Sequence, residues 1–167
     1  MAGRSEAAPL GNRFSDPARL ATRSNAQVNY LIISGGGAGG AFSVGALKAW
    51  SESGKRPSFD VVTGVSTGAL IAPYAFLGPA YDDALVHLYT NGAAKWLVAA
   101  GRFLNESVLS QVPLRNVIEQ YVTEEVRQKI AAEHRKGRRL FVQTTNLDSQ
   151  RAVAWDMGAI ADSSDPV

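Results

Sequence analysis

Gly64-Val65-Ser66-Thr67-Gly68 sets a serine between two glycines in the pattern G-x-S-x-G, directly after the apolar run FDVVT (59–63) and before ALIAPYAFL (69–77). A serine held at a sharp strand-to-helix turn has a strained backbone, and small residues two before and two after let neighbouring chain pass close. The turn lifts the hydroxyl to a helix N-terminus, where backbone N–H groups and the helix dipole favour developing negative charge. The chemistry this permits is nucleophilic attack by Ser66 on an acyl carbon. The plainer reading is a helix N-cap serine at a strand–helix corner.

A second glycine motif precedes it. SGGGAGGAF (34–42) carries Gly35, Gly37 and Gly40 in the spacing G-x-G-x-x-G, after the apolar run VNYLIIS (28–34). Three readings compete. A dinucleotide fold needs an acidic residue at the end of the second strand, and Asp60 lies at its start. A phosphate-binding P-loop needs Lys-Ser/Thr after the glycines, which is missing. An oxyanion hole needs only consecutive glycines, whose N–H groups converge on one oxygen with no side chain in the way. In a parallel βαβ unit the C-terminal ends of both strands share one sheet edge, so this loop and Ser66 are expected to be neighbours. That juxtaposition favours a serine acyl hydrolase.

A serine hydroxyl needs a general base at neutral pH. His87, in DDALVHLYT, and His134, in AAEHRKGRR, do not follow the serine in the acid-then-histidine order of α/β-hydrolases, and both read as surface or packing histidines. A carboxylate acting directly on the serine is the alternative, with Asp148, Asp156, Asp162 and Asp165 as candidates; none sits in an obviously constrained glycine corner.

LIISGGGAGGAFSVGAL, FDVVTGVSTGALIAPYAFLG and TTNLDSQRAVAWDMGAI, in that order, resemble the N-terminal half of a patatin-like phospholipase, from about Val28 to Ile160. The resemblance implies a three-layer α/β/α sandwich with a mostly parallel central sheet, and a Ser–Asp dyad without histidine that cleaves acyl esters of lipids. Ser66 would be the nucleophile, and N–H groups around Gly36, Gly37, Ala38 and Gly39 the oxyanion hole. Gly35, Gly40, Gly64 and Gly68 are the motif glycines. The implied partner is a lipid or acyl-ester substrate, and no cofactor or metal is implied. Two departures stand out. Many members carry Arg or Lys where this chain has Gly39. The family's catalytic Asp lies in an Asp-Gly-Gly or Asp-Gly-Ala corner, and this chain has no Asp-Gly pair and stops at Val167. A truncated domain is therefore expected, with the base beyond Val167 and apolar surface left on the strands at 139–146 and 151–157. A silent lipid- or acyl-binding module is the alternative from another class, and dinucleotide binding ranks third.

The bulk composition agrees with an α/β domain. Of 167 residues, 46% are hydrophobic and 19% charged, enough for one core and too few for two domains. A net charge of +2 does not call for nucleic acid. Cysteine is absent and there are two histidines, which excludes thiolate chemistry and His-rich metal centres. The basic run HRKGRR (134–139) reads as a solvated helix end, or as a peripheral contact with anionic lipid headgroups. Neither a signal peptide nor a membrane span is visible in the chain, and its compartment and oligomeric state stay open.

The elements expected to position these groups run as follows. Residues 1–27 form a polar leader, and 28–167 the domain. A buried strand at 28–34 leads through the glycine loop into a helix at 41–53, with Gly54 as its stop. A strand at 59–63 leads into a helix from Thr67 to Leu77, containing Pro73. Pro79 opens a helix to about Tyr89, and 91–112 is ambiguous. Pro113 opens a helix to Tyr121. Thr123 caps another that ends near Lys136–Gly137, and strands at 139–146 and 151–157 are joined by the turn LDSQ.

Overall fold

The computed structural model describes residues 27–93, 112–146 and 148–163. Residues 1–26 of the leader, most of the 91–112 segment, Leu147 and Asp165 lie outside the described residues. Strand β1 (Tyr30–Ile33) leads through a short 3-10 turn (Gly37–Gly39) into α1 (Gly40–Glu52). Then come β2 (Val61–Val65), α2 (Thr67–Leu77), a 3-10 turn at Pro79–Tyr81, α3 (Asp82–His87) and a wide π-type turn (Leu88–Ala93). After these follow α4 (Val112–Tyr121), α5 (Glu124–Arg135), β3 (Arg139–Asn146), β4 (Arg151–Asp156) and α6 (Met157–Asp162).

The four strands lie in the order β1-β2-β3-β4. The first three are parallel, with Ile33, Gly64 and Val142 in one row, and β4 returns antiparallel beside β3. The result is a mixed, mostly parallel sheet flanked by helices, the α/β class that the strand–helix alternation predicts.

Helix α2 is the centre of the core. Ile71, Ala72, Ala75 and Phe76 are fully buried in it, against Val62 of β2 and Leu140 of β3. A helix that is apolar all round is one enclosed all round. Pro73 sits in its interior, where the missing N–H leaves the carbonyl four residues back without its helical partner. Helix α5 starts where the sequence places it: Thr123 accepts a hydrogen bond from the Val126 N–H at 3.4 Å, with Glu124 and Glu125 in the first turn. Gly137 (φ 99°) provides the left-handed residue after its end.

Four expectations need correction. β1 is an edge strand and not a buried one: Leu31 and Ile33 face the core, while Tyr30 is exposed and Ile32 is 79% exposed. The largest bare apolar side chains are Ile32 and Phe42 (82%) at β1 and α1; on the strands at 139–146 and 151–157, Trp155 is exposed, as expected there, and Leu140 is buried. β2 begins two residues late, because Phe59 is buried edge-on against Trp50 (5.7 Å between centroids), and not by strand pairing. The expected single helix from Pro79 to Tyr89 is three short pieces, and Met157 opens a helix, not the end of a strand.

Two partly buried arginines fasten this frame. Arg56 (side chain 1% exposed) donates to Asp82 (7%) at 2.7 Å, to Ser51 at 2.9 Å and to the Ala75 carbonyl at 3.0 Å. Arg138 donates to the Phe59 carbonyl at 2.8 Å, the Phe76 carbonyl at 2.5 Å and Glu133 at 2.8 Å. The basic run is spoken for in the same way: Arg135 pairs with Asp162, Lys136 with Glu133, and Arg139 donates to the His134 carbonyl. Asp82→Ala should leave Arg56 charged, buried and unpaired, at a cost of about 3–5 kcal/mol. Urea denaturation checks this; a loss under about 1 kcal/mol, the range of an exposed pair, would contradict it.

Candidate active site

Parallel pairing of β1 with β2 brings the ends of both strands to one edge, in the register Ile33 to Gly64. Beyond Val65 the chain turns sharply at Ser66, whose backbone has φ 54° and ψ −122°. A non-glycine residue at positive φ is uncommon and costs on the order of 1–3 kcal/mol, so surrounding contacts must hold it there. Its hydroxyl makes no capping bond to α2. The N-cap explanation for Ser66 therefore fails.

The flanking glycines are required by close approach. A Cβ on Gly64 would run into the Gly68 carbonyl, and one on Gly68 into the Ile33 carbonyl, with the Ser34 carbonyl at 2.9 Å. Backbone thus lies on backbone: the start of α2 presses against the ends of both β1 and β2. A Cβ on Gly35 would come within 3.1 Å of the Ser66 Cβ and 3.7 Å of its Oγ, so the two glycine motifs touch.

The glycines of the first motif divide into three kinds. Gly36 (φ 154°) and Gly37 (φ 55°) have backbones that side chains rarely adopt, with open space where a Cβ would be. Gly39 is helical (φ −61°) and equally open, and its N–H is engaged by the Gly36 carbonyl at 3.0 Å. Gly40 is confined: a Cβ there would overlap the phenol oxygen of Tyr89 and stand 2.8 Å from the Thr67 Oγ1. Tyr89 and Thr67, both buried, are hydrogen-bonded through their hydroxyls, and Tyr89 also donates to the Thr67 carbonyl at 3.3 Å. Burial pushes the Tyr89 phenol pKa up against a smaller opposing effect of the Thr67 bond, so it stays neutral. Neither residue stood out in the sequence. Tyr89 is separated from both motifs, and the spacing of glycines does not say which of them is packed and which is bent.

The titratable candidates lie elsewhere. His87 Nδ1 is 3.1 Å from the Tyr121 hydroxyl. His134 lies 3.7 Å from Asp156, which caps α6 by accepting from the Ala159 N–H at 2.9 Å. Asp156 shares a row with Phe141 and Thr63, two strands from β2, which puts its Cα roughly 14 Å from that of Ser66 by strand geometry. Asp162 pairs with Arg135, and Asp148 is exposed in the β3–β4 turn. Asp60 accepts from the Asn29 N–H at 2.8 Å at the far end of β2, a structural bond away from the glycine loop. Among the described residues no carboxylate or imidazole is bonded to the Ser66 hydroxyl. Among them, too, no cluster of three or more His, Asp or Glu could hold a metal ion, and no helix is long and apolar enough to cross a membrane.

Residues 31–165 match the family model described as Patatin-like phospholipase. The chain belongs to the patatin-like phospholipase family. No curated protein and no solved structure gave a match. The matched span contains both glycine motifs and all four strands except the first residue of β1. Membership brings lipid acyl hydrolysis as the family's activity.

The glycine requirements differ enough to be tested. Gly64→Ala and Gly68→Ala should each destabilise by ~1–3 kcal/mol or more through forced overlap. Gly39→Ala, in open helical backbone, should stay within about 1 kcal/mol of wild type. Thermal denaturation of the three variants separates these, and equal losses at all three would show that close approach does not set the requirement.

Proposed function

We propose that this chain carries the nucleophile of a serine acyl hydrolase acting on lipid acyl esters, with Ser66 as that nucleophile. The observation that carries the reading is the Ser66 backbone: positive φ, no capping bond, and the first glycine motif against its side chain. Strain of this kind persists where surrounding structure over-determines it, and it points to function at the residue that bears it.

In the proposed reaction the Ser66 Oγ attacks the ester carbon while its proton passes to a carboxylate base. The carbonyl oxygen becomes an oxyanion, facing N–H groups of the Gly36–Gly39 loop. Within that loop the Gly37 and Ala38 N–H groups are better suited than that of Gly39, which is engaged by the Gly36 carbonyl. Collapse of the tetrahedral species breaks the bond to the alcohol, which leaves with the proton. Water then attacks the acyl-enzyme by the same route and releases the fatty acid. An alcohol in place of water would make the reaction acyl transfer.

A silent acyl-binding module is the second reading. It is favoured by one observation: among the described residues the Ser66 hydroxyl has no bonded base. Ser66→Ala separates the two. In the intact protein it should remove ester hydrolysis, by roughly 10⁶ in kcat, and abolish labelling by a fluorophosphonate probe. His87→Ala and His134→Gln should leave kcat near wild type. Wild-type protein that neither hydrolyses short-chain nitrophenyl esters nor takes the probe would support the silent module. A large loss from either histidine at unchanged melting temperature would replace the dyad with a triad.

A further inference from the structure

The two halves of the site come from different strands, and one buried side chain touches both. Tyr89 lies in the wide turn after α3 and is 4% exposed. Its hydroxyl is bonded to that of Thr67, the residue directly after Ser66, which is 2% exposed. The same phenol donates to the Thr67 carbonyl, and its oxygen fills the space that any side chain larger than hydrogen would need at Gly40. Gly40 closes the glycine loop and opens α1. A single phenol thus sits behind the turn that carries the serine and behind the end of the loop that faces it.

We propose that Tyr89 is a positioning residue, whose hydroxyl locks the turn after Ser66 against the end of the glycine loop. This rests on the reading of Ser66 as nucleophile. Tyr89 is enclosed behind the site and does not touch substrate; it acts through Thr67 and Gly40. The need for such a lock follows from the backbone. Ser66, Gly36 and Gly37 all adopt positive φ, so no helix or strand ladder fixes the angle between the serine and the loop N–H groups. A neutral phenol suits the role because it donates to the Thr67 carbonyl while accepting from the Thr67 hydroxyl. Phenylalanine would keep the ring packing and lose both bonds. Threonine at position 67 has a reason of its own here: its hydroxyl is buried, with the Tyr89 phenol as its hydrogen-bond partner among the described residues.

The test uses the intact protein with a nitrophenyl butyrate assay and a fluorophosphonate probe. The variants are Tyr89→Phe, Thr67→Val and the pair together. Labelling of wild type at Ser66 comes first, because its failure would remove the nucleophile reading and this inference with it. Given labelling, Tyr89→Phe and Thr67→Val should each lower kcat and the labelling rate about 10- to 100-fold, the range of a small misplacement of reacting groups, with KM little changed. Tyr89→Phe should also melt lower, since the Thr67 hydroxyl is left buried without a partner, and Thr67→Val should melt less far down, because the Tyr89 hydroxyl keeps the backbone carbonyl at position 67. In the double variant neither hydroxyl remains, so melting should return toward wild type while kcat stays low. That split between stability and rate is what a merely structural bond would not produce. The inference is overturned if Tyr89→Phe labels and turns over like wild type, or if kcat recovers together with the melting temperature in the double variant.

Discussion

Backbone-to-backbone contact between the first turn of α2 and the ends of β1 and β2 is the constraint on which the rest of this structure hangs. Gly68 lies against the carbonyls of Ile33 and Ser34, and Gly64 against the carbonyl of Gly68. Side chains at either position would hold the helix off the sheet. With glycine at both, α2 can descend onto Val62 and Leu140 and be enclosed along almost its whole length. The same contact leaves Ser66 nowhere to go but the strained turn, because β2 runs straight into the helix with a single residue between them. Burial of α2 thus offsets the strain at Ser66: fully burying a side chain such as Phe76 or Ile71 is worth about 1.5–3 kcal/mol, on the scale of the cost of one disfavoured backbone conformation.

Arg56 and Arg138 serve the opposite end of the same helix. Arg56 takes the Ala75 carbonyl and Arg138 the Phe76 carbonyl, in the last turn of α2, where helical acceptors run out. Each then ties that turn to another element, Arg56 to Asp82 at the start of α3 and Arg138 to Phe59 before β2. These guanidiniums provide several donors in a fixed fork, which a lysine could not reproduce. The helix is therefore held by glycine contact at its site end and by cationic hydrogen bonds at the other.

Much of this was legible in the residues. The bounds of α2, the Thr123 cap and the glycine stop at Gly54 (φ 69°) follow from local chemistry, and the structure has them where the sequence puts them. The meeting of the two glycine motifs follows from parallel strand topology. What was not legible depends on partners distant in the chain. YLII reads as buried on both sides because a short apolar run carries no sign of which face is covered, and here Ile32 is bare. Helix α6 was hidden by Gly158, a poor helix residue that is needed because a side chain there would collide with His134. Nothing in the local sequence marks Arg56 as the partner of Asp82, and the place of Gly40 in its motif does not show that its space is taken by Tyr89.

The question of the base turns on which edge of the sheet a carboxylate can reach. Both histidines are occupied elsewhere, His87 beside Tyr121 and His134 beside Asp156, so an imidazole would have to leave an existing contact to serve Ser66. Among the described carboxylates considered as bases, Asp156 lies part-way down the sheet and Asp162 is bound by Arg135. Asp148 alone follows the end of β3, at the edge where β2 delivers Ser66, but on an exposed turn with no bond to hold its carboxylate toward the serine among the described residues. A dyad requires the opposite: a carboxylate whose position is fixed, since proton transfer demands contact at about 2.6–3.2 Å. Backbone contact at Gly64 and Gly68 already sets the position of the Ser66 turn. If Ser66 is the nucleophile we propose, its proton acceptor must bring its own constraint to the edge formed by the ends of β1 and β2.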